Sequence, residues 1–85
     1  MSVLSILATT FGVLSGIAGF PQAIKIFRRK SAKDISIISY SLLLTGAIIW
    51  ILYGIELGNL PLIITNCFGA TNLALIVLGW FLYGR

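Results

Sequence analysis

Three stretches without a single charged side chain, 3–24, 35–55 and 57–84, make up most of this chain. Each exceeds the roughly 20 apolar residues that a helix needs to cross a bilayer. In lipid, every backbone N–H and C=O must be satisfied within the protein, so an isolated apolar run of that length folds as a helix. The pattern predicts an all-α membrane protein: one domain over 1–85, with spans at about 3–27, 35–55 and 60–83. No linker, low-complexity tract or internal repeat interrupts it. Charged residues are 9% of the chain, against about 25% in ordinary soluble chains, which excludes a water-soluble domain.

The charges are also clustered. Lys25, Arg28, Arg29, Lys30 and Lys33 fall between the first two apolar stretches. Lys and Arg accumulate in cytoplasmic loops, so this loop is expected inside the cell, with the N-terminus and the Glu56–Asn59 turn outside and Arg85 inside. A net charge of +4 does not point to nucleic acid here, because no aromatics are interleaved with the basic residues as single-strand binders require. Cys67 is the sole cysteine and there is no histidine. An intrachain disulfide and a multi-cysteine metal site are thereby excluded. No paired carboxylates or activated nucleophile are present for acid–base work, so the chain is not expected to be an enzyme, nor to carry a metal or cofactor. The N-terminus lacks the basic n-region of a secretory leader and has serine, not glycine, second, so myristoylation is not expected.

Helix ends are marked in the sequence. Asp34 or Ser36 can cap the second span, and Asn59 can cap the third, with Pro61 in its first turn where a missing N–H costs nothing. Trp80, Phe81 and Tyr83 are expected at the inner aromatic belt. Ser5, Thr9, Gly12, Gly16, Gly19 and Ala23 recur in steps of three and four. Such a small-residue stripe lets membrane helices approach closely.

Pro21 is different from Pro61. It sits about one turn before Lys25, removes a backbone hydrogen bond and crowds the Ile17 carbonyl, at about 3 kcal/mol in an ordinary helix. Two readings follow: a static kink, tolerated because neighbouring helices re-satisfy the freed groups, or a hinge for an inner gate. The next residue is Gln22. "FPQAIKIFRRKSAKDIS", followed by "WILYGIELGNLPLIITN" across the second helix end and third helix start, resembles the PQ-loop superfamily and in particular its small bacterial branch, the SemiSWEET sugar transporters. The resemblance covers nearly the whole chain. It implies a sugar carrier of the bacterial inner membrane, with Pro21 and Gln22 as the hinge motif and Trp50 and Asn66 as substrate-binding residues.

The pairing of Trp50 with Asn66 can be checked by length. Each lies five residues from its expected outer helix end, at Ile55 and Pro61, which places both about 7.5 Å below the outer edge. An indole offers a face for the apolar C–H side of a sugar, and an amide offers both donors and acceptors for adjacent hydroxyls. Gly46, one turn from Trp50, leaves room beside the ring, and Tyr53 lies nearer the outside as a gate. The plainer alternatives are belt anchoring for Trp50 and a helix–helix hydrogen bond for Asn66. Asn72 can be a second polar contact or interhelical glue. Relatives often carry charged residues around the turn that here reads "GIELGNLP". Glu56 has no basic partner there, so the outer gate is expected to close through Tyr53 and apolar contacts.

Three helices do not enclose a pocket of about 300 Å³. A symmetric dimer is the simplest closed solution, and SWEET-type carriers have parallel repeats about an axis along the membrane normal. A parallel homodimer of 3+3 helices is therefore expected, working by alternating access. With no acid or histidine deep in the membrane, transport is expected to be facilitative and uncoupled from protons. The competing readings are a PQ-loop carrier of an amino acid or carboxylate, and a non-transporting assembly subunit of a larger membrane complex.

Overall fold

The computed structural model describes residues 2–84, which form three helices and, among these residues, no strand: α1 (Val3–Arg29), α2 (Ile37–Leu57) and α3 (Leu60–Tyr83). All three are long and apolar enough to cross a membrane, at 27, 21 and 24 residues. The expected placement of Arg85 lies outside the described residues. Polar side chains within the helices are largely turned back on their own backbone. The hydroxyls of Thr9, Ser15, Thr45 and Thr71 each donate to the carbonyl four residues earlier, which hides them from lipid.

The helix ends follow local chemistry. Ser36, not Asp34, caps α2, its Oγ accepting from the Ser39 N–H at 3.2 Å. The side chain of Asn59 accepts from the Leu62 N–H at 3.3 Å at the start of α3, and Pro61 occupies the first turn. α1 runs to Arg29 and ends on Lys30 in the left-handed conformation. α2 extends to Leu57, two residues past the expected end, because Gly58 supplies the left-handed cap at φ 65°. The Asn59 N–H then closes back on the Gly54 carbonyl at 2.9 Å. Only Gly58 and Asn59 separate α2 from α3, which fixes the register of that antiparallel pair.

α3 packs against both α1 and α2, while α1 and α2 do not pack on each other. The result is a slab of 44 × 21 × 13 Å, little thicker than one helix with its side chains. The stripe of small residues on α1 explains one half of it. A Cβ on Gly12, Gly16 or Gly19 would run into Thr65, Phe68 or Asn72 respectively, and one on Gly79 of α3 would meet Ile26 at 2.5 Å. These pairs keep a nearly constant offset of 52 to 53 residues, so α1 and α3 run parallel, in contact along their length. On the other side of α3, Gly54 of α2 lies against Leu62 and Ile63.

Few side chains are buried. Ala23, Ile26, Ala32 and Ile76 form the core, with Leu75, Trp80 and Tyr83 against it. The loop between α1 and α2 crosses the end of α3: Ala32 is fully buried and its N–H donates to the Tyr83 carbonyl at 3.4 Å. Trp80 and Tyr83 are therefore partly packing residues and not only a belt; Tyr83 also meets Phe27 edge-on at 5.9 Å. The basic loop and the C-terminal end of α3 lie on the same side of the slab.

Candidate functional site

The two-residue turn sets depth. Trp50 lies seven residues before Leu57 and Asn66 six after Leu60, placing them about 10.5 Å and 9 Å from the turn. The contact of Gly54 with Leu62 and Ile63 gives the same register, since four residues deeper on each helix brings Trp50 level with Asn66. Both lie slightly deeper than their spacing from Ile55 and Pro61 suggests, because α2 runs on to Leu57 and α3 already starts at Leu60.

Helical periodicity, at about 100° per residue, then places side chains on faces of the slab. Two grooves flank the α1–α3 seam, one lined by Ala8, Pro61, Leu62 and Thr65 and the opposite one by Phe20, Cys67, Phe68 and Thr71. Asn66 and Gly69 fall on the Leu62–Thr65 side. Gln22 follows Ala8 and Ser15 in steps of seven and so lies on that same side of α1. α2 runs in the opposite direction. Counting back from Gly54 and Ala47, which face α3, brings Trp50, Gly46 and Tyr53 to this side as well. One broad face thus carries Gln22, Trp50, Tyr53, Asn66 and two glycines.

Those glycines differ from the packing glycines. A Cβ on Gly46 or Gly69 would meet nothing within 4 Å. Gly46 is one turn below Trp50 and Gly69 one turn below Asn66, so open space lies just beneath both side chains. Gly69 escapes sequence reading, because glycine in a membrane helix usually signals close packing. Trp50 is 51% exposed and meets Tyr53 edge-on at 5.8 Å, an arrangement that leaves much of the indole uncovered. The Asn66 amide donates to the Leu62 carbonyl at 2.9 Å. That bond holds the side chain along its own helix; its Oδ1 has no partner within the described residues.

The inner half of the face is less polar. Pro21 lies within α1, which continues as a helix on both sides of it. Gln22 is half-buried and its amide bonds to no described residue. Asn72 does not lie with Trp50 and Asn66. It points into α1 against Gly19, with a Cβ there only 2.5 Å from its Nδ2, and its buried Oδ1 has no hydrogen-bond donor. Among the described residues, Asn72 therefore forms no interhelical hydrogen bond in this conformation. No group of three or more potential metal ligands occurs among the described residues.

A family model of the PQ loop repeat matches residues 1–63, taking in Pro21, Gln22 and Trp50. The chain belongs to the PQ-loop family. This PQ-loop chain is 38% identical over 50 residues to the sugar transporter SemiSWEET of Bradyrhizobium diazoefficiens, a match covering 59% of this chain and 58% of that one. It is 41% identical over 46 residues to the SemiSWEET of Escherichia coli, covering 54% and 52%, and 32% identical over 53 residues to that of Leptospira biflexa, covering 62% of each. The match thus spans little more than half the length of these curated relatives. Over nearly the full chain, the fold is similar to the crystal structure of a bacterial homologue of SWEET transporters: TM-score 0.88 at 28% identity, over 98% of this chain and 100% of that one. Asn66 lies beyond the segment that the family model matches, so its assignment leans on the register across the Gly58–Asn59 turn.

Proposed function

We propose that this PQ-loop protein carries a small neutral sugar across the membrane by facilitative, alternating-access transport in a parallel homodimer. One observation carries the reading: Trp50 and Asn66 share a level and a face, above open space at Gly46 and Gly69. An exposed indole and an amide with a free acceptor match the apolar face and the hydroxyls of a sugar. The SemiSWEET names of the relatives give the cargo class. A slab 13 Å thick has no interior to hold a solute, and a second copy across the Trp50–Asn66 face supplies the missing wall. Each pocket then holds two indoles and two amides.

Pro21 and Gln22 act as the inner hinge and Tyr53 narrows the outer mouth, where its ring already leans on Trp50. The basic loop faces the cytoplasm, since Lys and Arg are retained inside, which puts the N-terminus outside and the end of α3 inside. No ionisable acid or base lies deep in a span, so movement is downhill and independent of protons. A carboxylate cargo would need a cation or a broken-helix N-terminus in the pocket, and this face has neither.

The test is uptake of labelled glucose and sucrose into liposomes containing only this purified chain. Saturable uptake is expected, abolished in Trp50→Ala and Asn66→Ala and unchanged by an imposed pH gradient at fixed voltage. Uptake that rises with the proton gradient would remove the uncoupled mechanism. No uptake by folded dimers would remove the sugar cargo.

A further inference from the structure

The groove along the α1–α3 seam on the Asn66 side runs toward the end of the slab opposite the basic loop. Its inner part, about 300 Å³, is lined by Ala8, Asn59, Pro61, Leu62 and Thr65. A further stretch of about 240 Å³ shares Ala8, Asn59 and Pro61 with it and opens at Ser2 and Ser5. The two are therefore one continuous groove, walled by two helices. It also adjoins the candidate solute site directly. Leu62, in its wall, accepts the Asn66 amide at 2.9 Å, and Thr65 lies only about 1.5 Å and 100° from Asn66 on α3.

Two half-buried side chains in this groove hold hydrogen-bond donors that the fold does not use. Asn59 accepts from the Leu62 N–H through its Oδ1, and its amide N–H groups have no acceptor among the described residues. Thr65 departs from the other four threonines. Thr9, Thr10, Thr45 and Thr71 each return the hydroxyl to the carbonyl four residues back. Thr65 forms no hydrogen bond among the described residues and rests against Gly12, which has no side chain to bond it. At the mouth, by contrast, Ser2 Oγ accepts from the Ser5 N–H and Ser5 Oγ donates to the Ser2 carbonyl. Unmet donors are costly once a second copy closes the face and water leaves. A single ring on Trp50 and Asn66 leaves those of Asn59 and Thr65 unmet; a second ring lying in the groove supplies acceptors.

Resting on the sugar-carrier reading, we infer that Asn59 and Thr65 form a second sugar subsite, which narrows the cargo to a disaccharide. One ring lies on Trp50 and Asn66. The other lies in the seam groove, where the Asn59 amide and the Thr65 hydroxyl donate to its oxygens. In the dimer, either protomer's groove takes the second ring.

The experiment measures Vmax/KM for labelled sucrose and labelled glucose in liposomes containing the intact chain. Thr65→Val keeps the shape that fits Gly12 and removes the hydroxyl. Asn59→Ser keeps a capping oxygen and removes the amide. Each should lower the sucrose-to-glucose ratio of Vmax/KM about fivefold, one hydrogen bond's worth. Thr71→Val, across the seam in the opposite groove with its hydroxyl already given to the Cys67 carbonyl, should hold the parental ratio. Thermal unfolding of the dimer fraction verifies that each variant is folded. A parental ratio in both Thr65→Val and Asn59→Ser, whether uptake of the two sugars falls together or not at all, overturns the proposal. A parent chain that carries glucose but not sucrose overturns it as well. A parent chain that carries neither removes the sugar-carrier reading itself, and the subsite with it.

Discussion

Replacing Gly69 with leucine should leave the chain folded and stop transport. A Cβ at Gly69 would meet nothing within 4 Å, so the new side chain enters open space without a clash inside the protomer. Helix propensity favours the change: glycine in a helix interior is less favourable than leucine by roughly 0.8 kcal/mol. The isolated protomer should therefore be as stable as the parent or slightly more so. The site is affected differently. Four added carbons lie one turn below Asn66, and in a dimer two copies would enter a site that needs about 300 Å³ or more to hold a small molecule. Uptake should fall at least tenfold, equivalent to about 1.4 kcal/mol. The assay compares sugar uptake in proteoliposomes with helicity and thermal unfolding in detergent, on protein taken from the dimer fraction. Parental uptake by Gly69→Leu would mean that the Trp50–Asn66 face does not line the path. Loss of helical stability would mean that the space at Gly69 is occupied, and the division of glycines into packing and open positions would fail.

The opposite behaviour is expected at Gly19. Gly19→Ala drives a methyl into the Asn72 amide, a strain of about 1–3 kcal/mol, and Asn72→Ala in the same chain should relieve it. Unfolding free energies of the two single variants and the double variant should show coupling above about 0.5 kcal/mol; additive effects would refute the contact. Gly58→Ala should destabilise by about 1–2 kcal/mol because its φ of 65° suits glycine, and Gly58→Asn should recover most of that; equal unfolding midpoints for the two would argue against a left-handed cap. Pro21→Ala restores a helical N–H and should stabilise α1 while slowing uptake. Uptake at the parental rate would leave Pro21 a static feature of the helix.

Much of this was legible from local signals. Span number follows from run length, and the cap at Asn59 from residue type. The level match of Trp50 with Asn66 follows from counting across a short turn, though the left-handed cap at Gly58 moved the end of α2 and deepened Trp50, while the start of α3 at Leu60 deepened Asn66. Asp34 and Ser36 were indistinguishable as caps, since either oxygen can accept the orphan N–H groups. The small-residue stripe on α1 marked a packing face correctly, but its partner on α3 carries no matching stripe: Thr65, Phe68 and Asn72 fill the notches, and only Gly79 returns one.

The chain's composition and spacing dictate three spanning helices and the common level of Trp50 and Asn66. Burying every backbone hydrogen bond in lipid leaves no other solution. The helix order, with α3 in the middle, emerges only from the packed structure, as do the open space at Gly46 and Gly69, the orphaned Asn72 oxygen and the basic loop docked on Tyr83. The physical reason is that α2 and α3 have no polar face opposite an apolar one: their few polar residues, among them Ser41, Thr45, Asn66, Thr71 and Asn72, are spread around the helices. In water, an apolar stripe reveals which face of a helix is buried; in a bilayer the lipid-facing and protein-facing sides read alike. Helix association there depends on close van der Waals fit, a property of pairs of surfaces that no single stretch of sequence displays.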